Sequence, residues 1–431
     1  PKTSSAASDV YKRQFLYKAI MTAALPLIEL ILLLRVKKNK EDFSRLNERR
    51  GISLTPRPDG KLIWLHASSV GESMAALSLI NRLLETEQEG KVLVTTGTLT
   101  SAKLMAERLP DRACHQFTPI DRPKFVKRFF KHWKPNLLLV MESEFWPIQI
   151  EAAKQFGIRI IAVNARLSQN SFYRWRTASF LSPTIFQSLD LVLATNKQQG
   201  DRFTRLGAKN VTVCGNLKRS APRLVVDLKI AQNLSEQIAN RPVWVAASTH
   251  IGEDVPIMEV TRGLLGKFPN LLTIIVPRHP NRGKNIAQLA SKNDLKVKCR
   301  SQEKEISPET QLYIADTFGE MGLFFQLSDI VFVAGSLVPV GGHNPIEPAH
   351  FDCAIIFGNL MSKNQEVADE MLANDAAIKV NDKLELFGTL KILLANPEKT
   401  NRLAKNAQEY VKNGHEVLDT VSKKITALTN V

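Results

Sequence analysis

Residues 61–72 have the sequence Lys-Leu-Ile-Trp-Leu-His-Ala-Ser-Ser-Val-Gly-Glu, in which an apolar run leads directly into a helical pattern. The run at 62–65 predicts a strand buried on both faces, which is typical of a parallel sheet. Gly71 and the small residues before it permit a tight turn and a close approach of the backbone to a ligand. Glu72 falls in the first turn of the predicted helix, where the helix dipole favours a carboxylate. The segment therefore predicts a βα unit with a polar group at the end of its strand.

The same alternation of short apolar runs and longer helical patterns continues through the chain. Strands are predicted at 62–65, 92–95, 137–141, 158–163, 189–194 and 211–213, and then at 243–246, 271–276, 311–315, 330–333, 354–357 and 376–380. Strands separated by helices indicate βαβ units, and the polar segment 215–241 separates two halves. We therefore expect an α/β protein whose two doubly wound halves face one another across a cleft. Ligands in such sheets bind outside the carboxyl ends of the strands.

The composition is that of a folded globular protein with a basic surface. Of its 431 residues 23% are charged and 44% are hydrophobic, which excludes a disordered chain and a polytopic membrane protein. The formal net charge of +16 favours a negatively charged partner, such as nucleic acid, a phosphorylated substrate or an anionic membrane. A basic soluble enzyme without such a partner is the alternative. The widely spaced cysteines argue against a zinc site and a disulfide framework, and they are Cys114, Cys214, Cys299 and Cys353.

The amino-terminal region combines an apolar segment with a basic one. Residues 1–14 are a polar leader without pattern that need not be native, and 15–34 are strongly apolar apart from Lys18, Pro26 and Glu29. Twenty helical residues would just reach across a bilayer core, and no signal-peptide cleavage site follows them. The basic residues that follow favour retention of this side in the cytoplasm, and they are Arg35, Lys37, Lys38, Lys40, Arg45, Arg49 and Arg50. We expect a membrane anchor that spans the bilayer or lies in its interface, and a buried core helix is the alternative.

Carboxylates follow two of the predicted strands in the first half. Glu72 lies beyond the first strand, and Glu142-Ser143-Glu144-Phe145-Trp146-Pro147 follows the run at 137–141. Their position at strand ends that face the expected cleft makes them candidates for acid–base chemistry. The alternative is structural, because a glutamate in a first helical turn is also a common cap and a second carboxylate can pair with an arginine.

Anion-binding features follow the strands of the second half. Arg278, in Pro277-Arg278-His279-Pro280, offers a forked donor that suits a phosphate. Gly341-Gly342-His343-Asn344-Pro345-Ile346-Glu347 has glycines before a predicted helix, which expose backbone N–H groups to anions and put a carboxylate within reach of ribose hydroxyls. The segment matches neither the dinucleotide fingerprint nor the P-loop. Satisfied structural polar groups are the alternative reading.

Two segments interleave basic and aromatic residues. In the segment 121–134, Phe125, Phe129 and Trp133 share one helical face, and the basic residues are Arg122, Lys124, Lys127, Arg128, Lys131 and Lys134. The aromatic face is either core or part of a surface that lies on anionic lipid. The segment 171–176 has a similar composition.

Taken together, the strand-end motifs resemble those of the 3-deoxy-D-manno-octulosonic acid (Kdo) transferases of lipopolysaccharide assembly in Gram-negative bacteria. The matching motifs run in family order over about residues 15–430. Beside the apolar and basic amino-terminal segments and the motifs quoted above, they include Asn164-Ala165-Arg166-Leu167-Ser168, Gly215-Asn216-Leu217-Lys218 and Asp316-Thr317-Phe318-Gly319-Glu320.

The resemblance implies a GT-B glycosyltransferase with two Rossmann-like domains and an amino-terminal membrane-anchor helix. Residues 15–50 would be the anchor and basic segment, 51–220 the acceptor-binding domain and 221–431 the domain that binds the CMP-sugar donor. The donor would be CMP-Kdo and the acceptor a lipid A precursor, lipid IVA, with no nucleic-acid partner. The protein would lie on the cytoplasmic face of the cell inner membrane, bound to its anionic surface.

The same resemblance assigns residues to roles. Glu72 is similar to the general base, and Glu142 and Lys218 to groups that stabilise the transition state. The residues that would contact CMP are Pro277, Arg278, Phe318, Gly319, Glu320, Gly341, Gly342, His343, Asn344, Pro345, Ile346 and Glu347. Because no Asp-x-Asp triplet occurs and the leaving group is a monophosphate, we expect no cofactor and no required metal.

Two other functions fit the fold class. A nucleotide-sugar epimerase shares the GT-B architecture, but it needs neither a lipid anchor nor a basic–aromatic face. A non-catalytic membrane-bound module that binds nucleotides or lipids is the other candidate, but it assigns no function to Glu72. Release of CMP from CMP-Kdo only in the presence of the lipid acceptor distinguishes the transferase from both.

Overall fold

Two compact units make up the computed structural model. It describes residues 16–87, 89–178, 181–220, 223–303, 305–412 and 414–429, so the predicted leader 1–14 lies outside the described residues. The first unit comprises Pro1–Ala221 and Gly414–Val431, and the second comprises Pro222–Asn413.

The first unit is built on a seven-stranded parallel sheet. Its strands are β1 (Leu62–His66), β2 (Lys91–Thr96), β3 (Ala113–Phe117), β4 (Leu137–Met141), β5 (Arg159–Ala165), β6 (Leu191–Ala194) and β7 (Val211–Val213). Their order in the sheet is β3-β2-β1-β4-β5-β6-β7, which is the doubly wound arrangement. The order reverses between β1 and β4, so the loops after these two strands flank the position where ligands bind in such sheets.

Helices cover both faces of this sheet. They are α1 (Leu16–Ala23), α2 (Leu25–Lys37), α3 (Leu46–Arg49), α4 (Val70–Thr86), α5 (Leu99–Arg108), α6 (Pro123–Trp133), α7 (Pro147–Gln155), α8 (Gln169–Thr177), α9 (Ser182–Gln187) and α10 (Lys197–Arg205). Because alternate residues of a strand point to opposite faces, Trp64 packs with Phe129 on one side while Leu65 packs with Leu79 on the other.

The second unit has its own seven-stranded parallel sheet. Its strands are β8 (Val243–Thr249), β9 (Leu272–Pro277), β10 (Val297–Cys299), β11 (Leu312–Ile314), β12 (Ile330–Val333), β13 (Ala354–Gly358) and β14 (Ile378–Val380), in the order β10-β11-β9-β8-β12-β13-β14. Its helices are α11 (Leu228–Ile238), α12 (Asp254–Leu265), α13 (Gly283–Lys292), α14 (Met321–Gln326), α15 (Ile346–Ala349), α16 (Gln365–Ala373), α17 (Lys383–Ala395) and α18 (Pro397–Lys412). The order of this sheet reverses between β8 and β12.

The predicted parallel strands are confirmed, and every one overlaps an observed strand. The sequence missed β3 and β10, which are the outermost strands of the two sheets on one side. An edge strand is partly exposed and therefore carries polar residues, such as His115 in β3 and Lys298 in β10. Neither strand contains the continuous apolar run that marks a central strand.

The division of the chain differs from the expected one at its carboxyl end. The last helix, α19 (Gly414–Thr429), belongs to the first unit and not to the domain expected at 221–431. Its buried Val421 and Ile425 pack in the same core cluster as Leu217. A helical pattern reveals which face is apolar but not which sheet that face covers, so no local pattern predicts that α19 returns to the first unit.

Helix α6 resolves the two readings of the segment 121–134 in favour of core packing. Phe125, Phe129 and Trp133 are buried, and so is Arg122. The basic residues on the exposed face are Lys124, Lys127, Arg128, Lys131 and Lys134. The aromatic side chains therefore do not form an outer surface, although most of the basic ones do.

Among the described residues, none of the helices is by itself long and apolar enough to cross a membrane. Helices α1 and α2 reach the necessary length and apolar composition only when they are taken together, and the bend between them is 53°.

The packing of α19 predicts a specific loss of stability. Ile425→Ala should lower the free energy of unfolding of the first unit by about 2–4 kcal/mol, because it removes a fully buried side chain. Lys424→Ala, an exposed change on the same helix, should alter it by less than about 0.5 kcal/mol. Urea unfolding of the two variants measures the difference, and equal values would contradict the placement of α19 in this core.

Candidate active site

Glu72 sits in the first turn of α4, directly after the loop that leaves β1. Ser69 is the N-cap, and its hydroxyl accepts from the Glu72 N–H at 3.3 Å and donates to Glu72 Oε1 at 2.7 Å. The Ser68 N–H donates to Glu72 Oε2 at 2.8 Å. Glu72 therefore does act as a helix-capping group, which was the structural alternative to a catalytic role. It is also buried, and burial together with the nearby charge of Glu142 raises the pKa of its carboxyl.

Glu142 follows β4 directly and has a left-handed backbone conformation with φ of 51°. Arg166 contacts Glu142 Oε2 at 2.7 Å through Nε and a terminal nitrogen, and Lys218 Nζ lies 2.9 Å from Oε1. A left-handed conformation is unfavourable for a residue with a Cβ and is found preferentially at functional sites. The pair of cations holds the carboxylate in this position.

Lys218 lies in the 3₁₀ turn Leu217–Ser220. The side-chain oxygen of Asn164, which has φ of 52°, accepts from the Leu217 N–H at 2.8 Å. A Cβ at Gly71 would lie 3.9 Å from Lys218 Nζ, so Lys218 approaches the turn that carries Glu72. The structure thus brings together Glu72, Glu142 and Lys218, as the resemblance implied.

A second carboxylate, Glu144, adjoins the cluster. Burial alone would raise the pKa of Glu144, but its contacts with His66 and Trp146 outweigh burial, so the pKa is lowered. The Trp146 indole N–H donates to Glu144 Oε2 at 3.1 Å, and His66 Nε2 lies 3.8 Å from the same oxygen. Glu72 and Glu144 therefore have pKa values shifted in opposite directions, an arrangement that divides carboxyl groups between proton acceptor and fixed charge.

In the second unit, a pair of histidines lies where the sheet order reverses. His250 follows β8, and its Nε2 lies 2.8 Å from Nε2 of His343. Burial and the charges of His250 and Arg278 lower the pKa of His343 to about 4. Burial and the charge of His279 lower the pKa of His250. Lys363 contributes to both shifts, so this corner of the unit is strongly electropositive.

The glycine turn differs from the expected anion cradle. The N–H of Gly342 donates to the carbonyl of Gly335 at 2.7 Å, and the N–H of His343 donates to that of Ala334 at 3.3 Å. Helix α15, which follows, has only four residues, so its dipole is small. Side-chain cations, rather than this turn or a helix dipole, are therefore the strongest positive groups beside His343.

The other candidate nucleotide-binding residues are placed as follows. Arg278 follows β9, and its charge acts on His343. Phe318 is 83% exposed, whereas Glu320 pairs with Arg300 at 2.7 Å. Asn344 donates to Glu347 at 3.5 Å in the segment that leads into α15. Within the described residues, no group of three or more histidines, cysteines and acidic residues has the arrangement of a metal site.

Sequence reasoning gave no role to several residues that shape these sites. Arg166 belongs to the motif at 164–168, but the sequence alone does not predict its pairing with Glu142. His250 and Glu253 were missed, although they follow β8 at a strand end, which was the signal used elsewhere. The Glu253 carboxylate accepts backbone N–H groups of His250, Gly335, Ser336 and Leu337, and so fixes the loop beside the histidine pair.

Comparison with known proteins identifies the family of the chain. The family model described as "3-Deoxy-D-manno-octulosonic-acid transferase (kdotransferase)" matches residues 44–221. The 3-deoxy-D-manno-octulosonic acid transferase of Rickettsia bellii is 37% identical over 414 residues, which cover 95% of this chain and 98% of that protein. The Haemophilus influenzae protein of the same name is 33% identical over 94% of each chain.

A solved structure, UDP-GlcNAc 2-epimerase from Neisseria meningitidis bound to UDP-GlcNAc, matches with a TM-score of 0.57 over 85% of this chain and all of that one. At 14% identity this likeness concerns the fold alone. The two parallel-sheet α/β units, each with polar groups at its point of strand reversal, are those of a GT-B type glycosyltransferase. The chain belongs to the Kdo transferase family, as its motifs predicted, and it is an enzyme of that class.

The geometry predicts the direction of a pKa change. In Glu142→Gln the pKa of the Glu72 carboxyl should fall, because the variant loses a neighbouring negative charge and leaves Arg166 and Lys218 uncompensated. Carboxyl ¹³C NMR titration measures this value. Glu85→Gln, an exposed change on the same helix, should leave it unaltered. A pKa of Glu72 that stays constant or rises in Glu142→Gln would contradict the proximity of the two carboxylates.

Proposed function

We propose that the enzyme transfers Kdo from CMP-Kdo to a lipid A precursor of the lipid IVA type, with inversion at the anomeric carbon, in lipopolysaccharide assembly. The observation that carries the proposal is the buried Glu72 carboxylate, which lies near enough to the Glu142–Lys218 ion pair for the charge of Glu142 to act on it, in a chain of the Kdo transferase family. The names of the relatives specify the sugar that they transfer. The donor and acceptor are inferred for this chain from that family.

Glu72 acts as the general base in this proposal. It accepts the proton of the acceptor hydroxyl while that oxygen forms a bond to the anomeric carbon and the bond to the CMP phosphate breaks. A base works best when its pKa lies near the working pH, and burial and Glu142 shift the pKa of Glu72 in that direction. The hydrogen bonds from Ser68 and Ser69 fix the direction in which the carboxylate points.

Glu142 and Lys218 stabilise the transition state as a preorganised pair. Their 2.9 Å contact, together with Arg166 on the other carboxylate oxygen, fixes these charges before the substrate arrives. Charges that are already oriented need no reorganisation when charge develops on the reacting atoms. The pair therefore contributes to the chemical step through its position as well as through its charge.

A cavity of about 350 Å³ beside the carboxylates suits the sugar head group of the acceptor. It is lined by Trp146 and Trp175, whose rings offer apolar faces to sugars, and by Arg174 and Glu144. Arg174 is exposed, and its guanidinium suits a phosphate on a glucosamine. This combination supports a phosphorylated disaccharide as the acceptor.

The second unit supplies the donor site in this proposal. Arg278 and Lys363, beside the histidine pair, offset the negative charge of the CMP phosphate as it leaves. Because a monophosphate carries less charge than a diphosphate, these side chains are expected to suffice without a required metal. The remaining residues proposed to contact CMP are those of 318–320 and 344–347.

Helix α2 supports a membrane location, and the cytoplasmic face of the inner membrane is what the family resemblance implies. Its buried Leu32 faces the domain, whereas Leu27, Leu30 and Leu34 on other faces are about half exposed. A helix that is apolar all round and not buried is typical of contact with lipid. Exposed Lys37, Lys38 and Lys40 follow its apolar part, where they suit anionic head groups.

The role of Glu72 is tested by Glu72→Gln. The amide keeps the shape of the cap but accepts no proton, so turnover should fall by roughly 10²–10⁴ while CMP binding persists. Glu85→Gln is the control on the same helix and should leave turnover unchanged. CMP release from CMP-Kdo, measured with and without lipid acceptor, gives the rates. Turnover close to that of the parent enzyme would refute the assignment.

The membrane location predicts the behaviour of an outward-facing variant. Leu27→Gln, Leu30→Gln and Leu34→Gln combined should lower partitioning onto vesicles that contain anionic lipid at least tenfold, since each change removes apolar surface from the lipid contact. The matched control combines Leu384→Gln and Ile392→Gln, which alter exposed apolar residues of the second unit. Sedimentation with vesicles measures both. Equal partitioning of the two variants would count against α2 as the membrane contact.

A further inference from the structure

An apolar cavity of about 420 Å³ lies within the first unit, between the amino-terminal helices and the loop that follows β3. Met21, Ile28, Ile31 and Leu32 line one wall, and Pro119 and Ile120 line the opposite one. The catalytic roles proposed above make no use of this space. Its wall is nevertheless the same helix α2 whose other faces are apolar and exposed.

Polar bridges keep this wall in place. The Tyr17 hydroxyl donates to Asp121 at 3.1 Å, and Lys18 pairs with Glu151. Farther along, Arg50 donates to both carboxylate oxygens of Glu29, at 3.0 and 2.6 Å. These contacts, at the start of α1 and in the middle of α2, hold the two helices over the loop and so maintain the space beneath them.

The two arginines in the cavity wall are paired with a glutamate of the same wall. Arg49 donates to both oxygens of Glu41 and to the Gly97 carbonyl, and Arg35 donates to Glu41 at 3.0 Å. Buried charges that are satisfied in this way do not require a charged ligand. The other polar residues of the lining are Ser68, Thr118, Asp121 and Glu144, and the Asp121 carboxylate accepts from the Tyr17 hydroxyl and from the N–H groups of Ile148 and Gln149. The apolar surface that suits a hydrocarbon occupant is supplied by Met21, Ile28, Ile31, Leu32, Pro119, Ile120 and Trp146.

One end of the cavity reaches the proposed base. Ser68, Glu144 and Trp146 belong to its lining. The Ser68 N–H donates to the Glu72 carboxylate at 2.8 Å, and Glu144 and Trp146 also line the cavity proposed for the acceptor sugar. A molecule with an alkyl chain in this space would therefore present its polar head at the carboxylate cluster.

We propose that the cavity binds one fatty acyl chain of the lipid acceptor and thereby sets the acceptor sugar at Glu72. The proposal rests on the function proposed above and adds a specificity-determining subsite to it. The acyl chain would enter the cavity beside α2, whose exposed leucines would contact the lipid. It would then run between α2 and the loop after β3. An acyl chain of a bulk phospholipid is the competing occupant.

Ile31→Trp tests the subsite, because residue 31 lies at the rim of the cavity and a larger ring there would occupy the space. In detergent micelles, the KM for the acylated acceptor should rise at least tenfold, while the KM for CMP-Kdo should stay within twofold. Leu33→Trp is the matched control, since it is a similarly exposed residue of the same helix outside the cavity lining. It should change neither value.

Equal effects of the two variants on the acceptor KM would overturn the proposal, and so would a parallel rise in the donor KM. If the unaltered enzyme transfers no Kdo to the acceptor, the proposed function itself fails, which is a different result. Photo-crosslinking of the unaltered enzyme with an acceptor that carries a diazirine on its acyl chain gives a second measurement. Adducts within 21–32 and 118–121 are expected. Adducts elsewhere, or equal labelling by a phospholipid with the same group, would overturn the assignment.

Discussion

A buried carboxylate held in an unfavourable backbone conformation organises the first unit. Glu142 leaves β4 with φ of 51°, although its N–H still donates to Val163 in the neighbouring strand at 2.9 Å. A residue in this conformation costs on the order of 1–3 kcal/mol and persists only when its surroundings determine it. Arg166, which follows β5, and Lys218, which lies in the 3₁₀ turn, hold Glu142 in this conformation through their contacts with its carboxylate. The ends of two strands and a distant turn therefore meet at one side chain.

The consequence for chemistry is that the Glu72 carboxyl lies in the electrostatic field of the Glu142 carboxylate. Arg166 and Lys218 pair with the Glu142 carboxylate, whose charge acts in turn on Glu72. Burial and the charge of Glu142 raise the pKa of Glu72, whose carboxylate accepts from Ser68 and Ser69. Glu72 and Glu142 are the same residue type, and they differ in their partners, which are serine donors for Glu72 and cations for Glu142.

The sequence predicts the fold, and the position of the candidate carboxylates within that fold, for a simple reason. Central strands are buried on both faces and so appear as apolar runs, and the residues after β1 and β4 must lie together where the sheet order reverses. This is why Glu72 and Glu142 were both identifiable. Edge strands such as β3, the return of α19 and the pairing of Arg166 with Glu142 depend on long-range contacts, which no local pattern contains. His250 was overlooked because β8 extends to Thr249, beyond the predicted end at 246.

The central claim is that burial and the charge balance around Glu142 together set the pKa of Glu72, the proposed base. The pH dependence of kcat/KM for Kdo transfer in Lys218→Met tests it most directly. Loss of a cation that compensates Glu142 should raise the pKa of Glu72 further. The acid limb of the profile should therefore move to higher pH, in addition to any fall in the maximal rate. An acid limb that stays in place or moves to lower pH would contradict the account.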